Sequence, residues 1–283
     1  MPQRYDFVRE EVILNELSAN GRVTVNELAE RFGVSAVTVR KDLDSLERRS
    51  LLRRVRGGAV IPSAGDEGAF TERLREHANV KRELGRHVAG LVHDEDVIAL
   101  DSSTTSFYLA QELLDHRDLI VVTYGMRVAT LFMEHSNATV VMPGGVLRRA
   151  SGSMVGAFSN VLEGRGRISK GFFGVAMLSE HLGMLELSSE EAETKKSLIR
   201  ACDAVYGIFT SSKTGGFGLH PFAAPAEITE LFTDEHADDA FVAAWACVGV
   251  PVTRVEGTGS MLDTGLHVIE GSAVRRQKSR AAR

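Results

Sequence analysis

Two cysteines in 283 residues, Cys202 and Cys247, are too few for a disulfide framework, and no C-x-x-C pair offers a metal site. Each falls in an alanine-rich stretch that reads as helix, where a buried free thiol is the ordinary state. No apolar run reaches the roughly 18 residues that a membrane-spanning helix needs. The opening MPQRYDFVREEV is too charged for a secretory signal, so a cytoplasmic location is expected. The nine histidines show no H-E-x-x-H or similar ligand spacing, so neither a metal nor another cofactor is expected. Positive charge is also short: 33 Lys and Arg stand against 38 Asp and Glu, a net charge of -5, which argues against a nucleic-acid binder over the chain as a whole.

What is present changes that reading. A hydrophobic content of 43% and a charged content of 25% suit a folded chain with an ample core, and the length suggests two domains. Residues 1–60 carry eleven Lys and Arg against nine acids; the remainder carries 22 against 29. Between Arg40 and Arg56 seven cations face only Asp42, Asp44 and Glu47. The positive charge is therefore concentrated in one short stretch.

That stretch contains a helix that starts at Ser35, whose hydroxyl can cap Val37 or Thr38. Val39, Leu43 and Leu46 fall on one face and Ala36, Thr38, Arg40, Lys41 and Asp44 on the others. Small and hydroxyl residues followed by two cations suit entry into a major groove, although the helix alone reads equally as a solvated surface helix. Its neighbours decide. Val8, Val12, Ile13 and Leu17 form a helical stripe ending before Asn20-Gly21, Thr24 and Glu27 form a T-x-x-E capping box, and Gly33 suits a left-handed turn. The order helix, short helix, tight turn, longer helix is helix-turn-helix spacing. Leu51–Ile61 then has β-type residues with Arg53, Arg54 and Arg56 before Gly57-Gly58, a basic wing. The expected DNA contacts are Thr24, Ser35, Ala36, Thr38, Arg40, Lys41, Arg53, Arg54, Arg56 and Gly57.

ELAERFGVSAVTVRKDLDSLE followed by LLRRVRGGA resembles the N-terminal domain of the DeoR family of bacterial transcriptional regulators, over essentially all of residues 4–60. Two positions depart from that family. Ser50 stands where Gly is usual, and Arg56 where His is common.

Residues 62–69 read as a linker between a head over 1–61 and a second domain over 70–256. The second domain begins with a helix near 79–92. Strands are expected at Asp96–Leu100, Leu119–Thr123, Thr139–Met142, Gly171–Val175, Ala204–Phe209 and Val252–Val255. Helices are expected at Thr105–Leu114, Met126–Glu134, Val155–Glu163, Glu190–Cys202 and Ala237–Gly249. Alternation of this kind implies an α/β fold with a parallel, Rossmann-like sheet whose ligands bind at the carboxyl ends of the strands. At one such end Asp101, Ser102, Ser103, Thr104 and Thr105 open a helix, which suits an anion as well as plain capping. Tyr124, Gly144, Gly145 and Lys213 close other strands on the same edge, and Glu191 is a carboxylate that could accept from sugar hydroxyls.

The order DSSTT, VVTYG, PGGVLRR, FFGV, EEAETKK and SSK resembles the DeoR family's C-terminal sensor domain over about residues 70–256. The resemblance implies a fold related to ribose-5-phosphate isomerase and glucosamine-6-phosphate deaminase. It implies a phosphorylated sugar or related metabolite as effector, with Asp101, Ser102, Thr104 and Thr105 at the phosphate, Gly144 and Gly145 as backbone donors and Lys213 as the cation. Ser103, Tyr124, Gly125 and Thr210 depart from the family's pattern. The expectation is a DNA-binding regulator, most often a repressor, acting on double-stranded operator DNA as a homodimer or homotetramer under effector control. The alternatives are a sugar-phosphate isomerase or deaminase fused to a DNA-binding head, and an architectural DNA-binding protein without an effector. Residues 272–283 hold five cations and no acid, and 257–283 reads as a disordered basic tail.

Overall fold

The structure is a computed structural model, and it describes residues 9–10, 12–14, 16–17, 20–48, 52–60, 70–156, 167–214 and 219–257. The expected linker at 62–69, Ser50, and the basic tail beyond Gly257 lie outside the described residues.

In the head, the described residues of 9–17 are helical, and Ile13, Leu14 and Leu17 are buried. Strand β1 (Arg22–Thr24) runs directly into α1 (Val25–Phe32). Thr24 caps that helix, its Oγ accepting the Glu27 N–H at 3.3 Å. The Glu27 carboxylate does not complete the expected reciprocal box. It accepts the Thr24 hydroxyl instead, at 2.7 Å, while the Thr24 backbone sits in β1 opposite Gly58. Gly33 turns the chain at φ 63°, the left-handed conformation that glycine adopts without a steric penalty. The second long helix, α2 (Ala36–Arg48), buries Val39, Leu43 and Leu46 completely against Leu28 and Ile13. Full burial of such side chains contributes roughly 1.5–3 kcal/mol each. β2 (Arg53–Val55) and β3 (Gly58–Val60) form the wing, with β3 between β1 and β2 in an antiparallel sheet. Gly58 is required there, because a Cβ would strike the Val23 carbonyl.

The larger unit is built on seven strands. Helices α3 (Phe70–Arg75) and α4 (Ala78–Ala89) lead into β4 (Val97–Leu100), α5 (Thr104–Glu112), β5 (Ile120–Thr123), α6 (Met126–His135) and β6 (Thr139–Val141). A hairpin, β7 (Val146–Arg148) and β8 (Ser153–Val155), precedes β9 (Ile168–Phe173). β10 (Met177–Ser179) and β11 (Gly183–Glu186) form a second hairpin before α7 (Ser189–Ile199) and β12 (Cys202–Ile208). β13 (His220–Ala223), β14 (Glu230–Asp234), α8 (Asp239–Cys247) and β15 (Val252–Val255) follow. The main sheet is parallel throughout, in the order β15-β14-β12-β9-β4-β5-β6. From β4 the chain builds outward through β5 and β6, then crosses back to β9 and builds the other way. β4 and β9 therefore flank the topological switch point, where open α/β sheets bind ligands.

Successive residues of a strand face opposite sides, so Phe172 belongs to the core under α4, α5 and α6, and Phe173 to the core under α7 and α8. A third cluster joins the two units. Met177 and Leu185, from the β10–β11 hairpin, are 5% and 2% exposed and belong to the same apolar cluster as the head core.

Several expectations are corrected. The strand expected at Gly171–Val175 lies at Ile168–Phe173. Val155 closes a strand rather than opening a helix, and residues 157–163 of that expected helix lie outside the described residues. Cys202 starts β12 instead of ending a helix; its buried thiol is pushed up to about 12 by desolvation. Cys247 is exposed, not buried. β14 was not expected, because its segment ELFTD mixes acids and hydroxyls with only two large apolar residues. Its polar Thr233 and Asp234 are nonetheless buried.

Candidate functional sites

Two places concentrate chemistry. The first is the outer face of α2. Val37, Arg40, Lys41 and Asp44 are exposed at spacings of three, one and three, which puts them on a single helical stripe. The Ser35 and Thr38 hydroxyls lie 2.9 Å apart, and Ser35 Oγ accepts the Thr38 N–H at 3.1 Å, so the helix start is closed on itself. All three acids of α2 have partners within the head. Asp42 pairs with Arg9 at 3.0 Å. Glu47 accepts the backbone N–H of Arg54 at 2.7 Å, and Asp44 accepts the Arg54 guanidinium at 2.5 Å.

That last contact corrects an expectation. Arg54 also donates to the carbonyls of Arg40 (3.1 Å) and Gly58 (3.3 Å), so it ties the wing to the helix rather than reaching outward. Its effect on the outward field is indirect: it offsets Asp44 beside Arg40 and Lys41. Arg53 and Arg56 are exposed on the wing. Gly57, at φ 83°, makes the wing turn, and its carbonyl accepts the Val25 N–H at 2.9 Å. The Thr24 hydroxyl is spent on Glu27. Ala36 and Thr38 are half-buried near the helix start.

The second place is a cavity of about 490 Å³ at the switch point. The chain after β4 (Ser102–Thr105, running into α5), β9 (Gly174–Ala176) and β12 (Phe209, Thr210, Ser212, Lys213) lines it, with Arg73 from α3, Lys81 from α4 and His77 between the two helices. The start of α5 opens into it. Ser103 is the N-cap, its Oγ accepting the Ser106 N–H at 3.1 Å, and its side chain packs where a Cβ on Gly174 would clash. The side chain at Ser103 is thus accommodated by a glycine on the neighbouring strand end. The Lys81 ammonium is pulled down from 10.5 to about 8 by burial, and the charges of Lys213 and Arg73 push the same way against Glu76. The Lys213 charge, from a separate element, therefore adds to burial in disfavouring the charge of Lys81 at the cavity wall, an arrangement that a bound anion relieves.

The cavity floor is a buried ionic network. Lys195, 2% exposed, contacts Asp101 at 2.8 Å, the Glu186 carboxylate and the Gly174 carbonyl. Asp101 is fully buried and accepts from the Ser103 and Gly174 N–H groups and the Ser106 hydroxyl. Burial opposes its ionisation, yet the Lys195 charge and these donors hold its carboxyl below the ordinary value. Glu191 lines the cavity but its carboxylate is held by Arg148 at 2.5 Å and by the Ser153 hydroxyl, with Ser102 Oγ at 3.4 Å.

Of the expected effector residues, Ser102, Ser103, Thr104, Thr105, Glu191 and Lys213 come together at the cavity. Four do not line it. Asp101 lies behind the wall as the counter-ion of Lys195. Tyr124 is buried at 0%, and burial with nearby Glu191, Asp101 and Glu186 raises its pKa, so it fills the core instead of stacking on a ligand. Gly144 and Gly145 have φ of 82° and 131°. A Cβ on Gly145 would strike the Val155 carbonyl, so that glycine serves the approach of β7 to β8. Lys81, Lys195, Glu186 and Arg148 were missed. No local pattern singles out Lys195 within EEAETKK, and Lys81 lies in the first turn of α4 with no motif of its own. Among the described residues no group of three or more His, Cys, Asp or Glu could hold a metal, and no helix is long and apolar enough to cross a membrane.

Known proteins match both places. Residues 9–64 match the family described as the DeoR-like helix-turn-helix domain, and residues 76–235 the DeoR C terminal sensor domain. The HTH-type transcriptional repressor GlcR of Bacillus subtilis is 30% identical, over 84% of this chain and 92% of its own length. The glycerol-3-phosphate regulon repressor of Escherichia coli is 27% identical, over 78% of this chain and 88% of its own. The solved ribose 5 phosphate isomerase A of Neisseria gonorrhoeae aligns with 47% of this chain and 52% of its own at 14% identity and a TM-score of 0.37, too distant for function to follow.

Proposed function

The chain belongs to the DeoR family of transcriptional regulators, and from that premise we propose that it is a repressor whose hold on operator DNA is set by a phosphorylated metabolite in the cavity at the sheet's switch point. The observation that carries this reading is the meeting of the α5 N-terminus, with Ser102, Thr104 and Thr105, and the paired cations Lys81 and Lys213 around one cavity. Free N–H groups at a helix start and two ammonium groups suit a dianionic phosphate monoester. Glu186 and Glu191 line the same cavity, and the lone pairs that Lys195, Arg148 and Ser153 leave on them are the acceptors for sugar hydroxyls.

On this reading residues 1–61 bind DNA, with Arg40 and Lys41 on bases or phosphates and Arg53 and Arg56 on the backbone. Residues 70–256 take the effector. One head covers too little DNA for a specific site, so the working form is a dimer or tetramer on repeated half-sites. The effector acts only through a difference in affinity between DNA-bound and released arrangements. The relatives named as repressors align with most of this chain and most of their own length, which favours this reading over a fused isomerase or deaminase.

Calorimetric titration with inorganic phosphate, glycerol 3-phosphate and glycerol tests it. Binding confined to the phosphorylated probes, and lost in Lys213→Ala with DNA affinity intact, is the expected result. Equal binding of glycerol and glycerol 3-phosphate would sink the phosphate assignment, and turnover of a sugar phosphate would sink the sensor reading.

A further inference from the structure

Among the described residues of the head, one large apolar side chain is left in solvent: Val37, 59% exposed in the first turn of α2. Its sequence neighbours behave differently. Val39 is fully buried, and Val34 and Ala36 pack against the head core. Nothing in the fold accounts for a valine here. It adds no core contact, and a β-branched residue lowers helix propensity relative to the straight-chain polar residues that usually cover an exposed face.

The surroundings specify what could cover it. Val37 lies one turn before Arg40 and Lys41 on a single exposed stripe. The acid further along that stripe, Asp44, is held by Arg54, and the hydroxyls beside it, Ser35 and Thr38, bond to each other. The exposed stripe thus presents an isopropyl group followed, one turn on, by two cations. In a major groove the apolar feature that a base edge offers is the 5-methyl group of thymine, while phosphates and guanine edges take the cations. A helix in a groove brings its N-terminal residues closest to the bases.

We propose that Val37 is a specificity-determining residue of the head, packing its isopropyl group against a thymine 5-methyl in each half-site. This rests on α2 being the helix that enters the major groove. Arg40 and Lys41 fix the register, and Val37 discriminates T from C at one position, where cytosine offers a bare C5 edge. Removal of one buried methyl-sized contact corresponds to about a fourfold loss in affinity per half-site.

The experiment uses the full-length protein and a randomised duplex library. Wild type should enrich a half-site with a required T at one position. Val37→Ala should enrich the same half-site with that position relaxed. In the enriched duplex, replacing that T by deoxyuridine, which removes only the methyl, should weaken wild type about fourfold and leave Val37→Ala unchanged. Because Val37 is exposed, the alanine variant should fold normally, with its thermal midpoint as the check. Retention of the T preference in Val37→Ala, or an equal loss for both proteins on deoxyuridine, overturns the proposal. Failure of wild type to enrich any sequence overturns the DNA-reading role of α2, and this proposal with it.

Discussion

The pair Lys81 and Lys213 makes effector binding depend on pH in a direction that can be worked out. Lys81 titrates near 8 in the ligand-free protein, against an ordinary 10.5, because it is buried and faces Lys213 and Arg73, with Glu76 opposing. A phosphate dianion beside it would favour the charged form and return the pKa toward 10.5. Binding above about pH 8 must then take up a proton. The phosphate itself contributes no slope there, since a phosphomonoester with a second pKa of about 6 is already a dianion. The dissociation constant should be nearly level below pH 7.5, rise toward tenfold per pH unit above 8, and be roughly 20-fold weaker at pH 9.5 than at pH 7.5. Tyr108, whose pKa burial raises, and Cys202, near 12, stay largely protonated over that window. The ligand-free protein should gain stability over the same interval, because the unfolded chain binds the Lys81 proton more tightly than the folded one. Calorimetry with glycerol 3-phosphate from pH 7 to 9.5, in two buffers of different ionisation enthalpy, reads both the slope and the proton uptake. Lys81→Met should bind more weakly and show no slope. A level affinity in wild type, with no proton uptake, would refute the assignment of Lys81 to the anion.

Further outcomes follow from the same contacts. Arg40→Ala should weaken operator binding by about 1–3 kcal/mol if Arg40 reads a base, and an equal loss on random DNA in a gel-shift assay would assign it to phosphate instead. Lys195→Met leaves Asp101 buried beside Glu186 without its cation and should destabilise the larger domain by about 3–5 kcal/mol in urea unfolding at neutral pH. Asp101 is held below its unfolded pKa of about 3.9, so its contribution is present above that value and is lost as pH falls through the folded value. The gap between wild type and Lys195→Met should therefore narrow in acid; a constant gap would mean that the Lys195 stem, not its charge, matters. Leu185→Ala removes a sensor side chain from the apolar cluster it shares with the head and should cost about 2–4 kcal/mol, read as a lower thermal midpoint of the head.

How much of the molecule was legible varied with the range of the interaction. The Thr24 cap, the Gly33 turn and the buried face of Val39, Leu43 and Leu46 all depend on residues within a few positions of each other, and the structure has each where the spacing puts it. Four hydroxyls opening α5 were legible for the same reason. Arg54 was misjudged because its partners, Asp44 and the Arg40 carbonyl, are ten and fourteen residues away across the wing. Lys195 was not legible because the carboxylates that pair with it come from the ends of two strands, β4 and β11, that no local pattern joins. Tyr124 looked available to a ligand because its position after β5 suggests the cavity edge, yet it packs into the core beside α7.

The sequence by itself determined the two-part plan: a helix-turn-helix with a wing, then an alternating α/β unit, because periodicity, caps and turn residues act over a single element. Only the tertiary structure decided which charges face solvent and which are spent inside. Burial and pairing of ionic groups depend on the crossing of β4, β9, β11 and β12 and on the wing folding over α2, so they are properties of the assembled fold. That is why Lys81 rather than Asp101 lines the cavity wall, and why Val37, Arg40 and Lys41 rather than Arg54 form the outward face of the head.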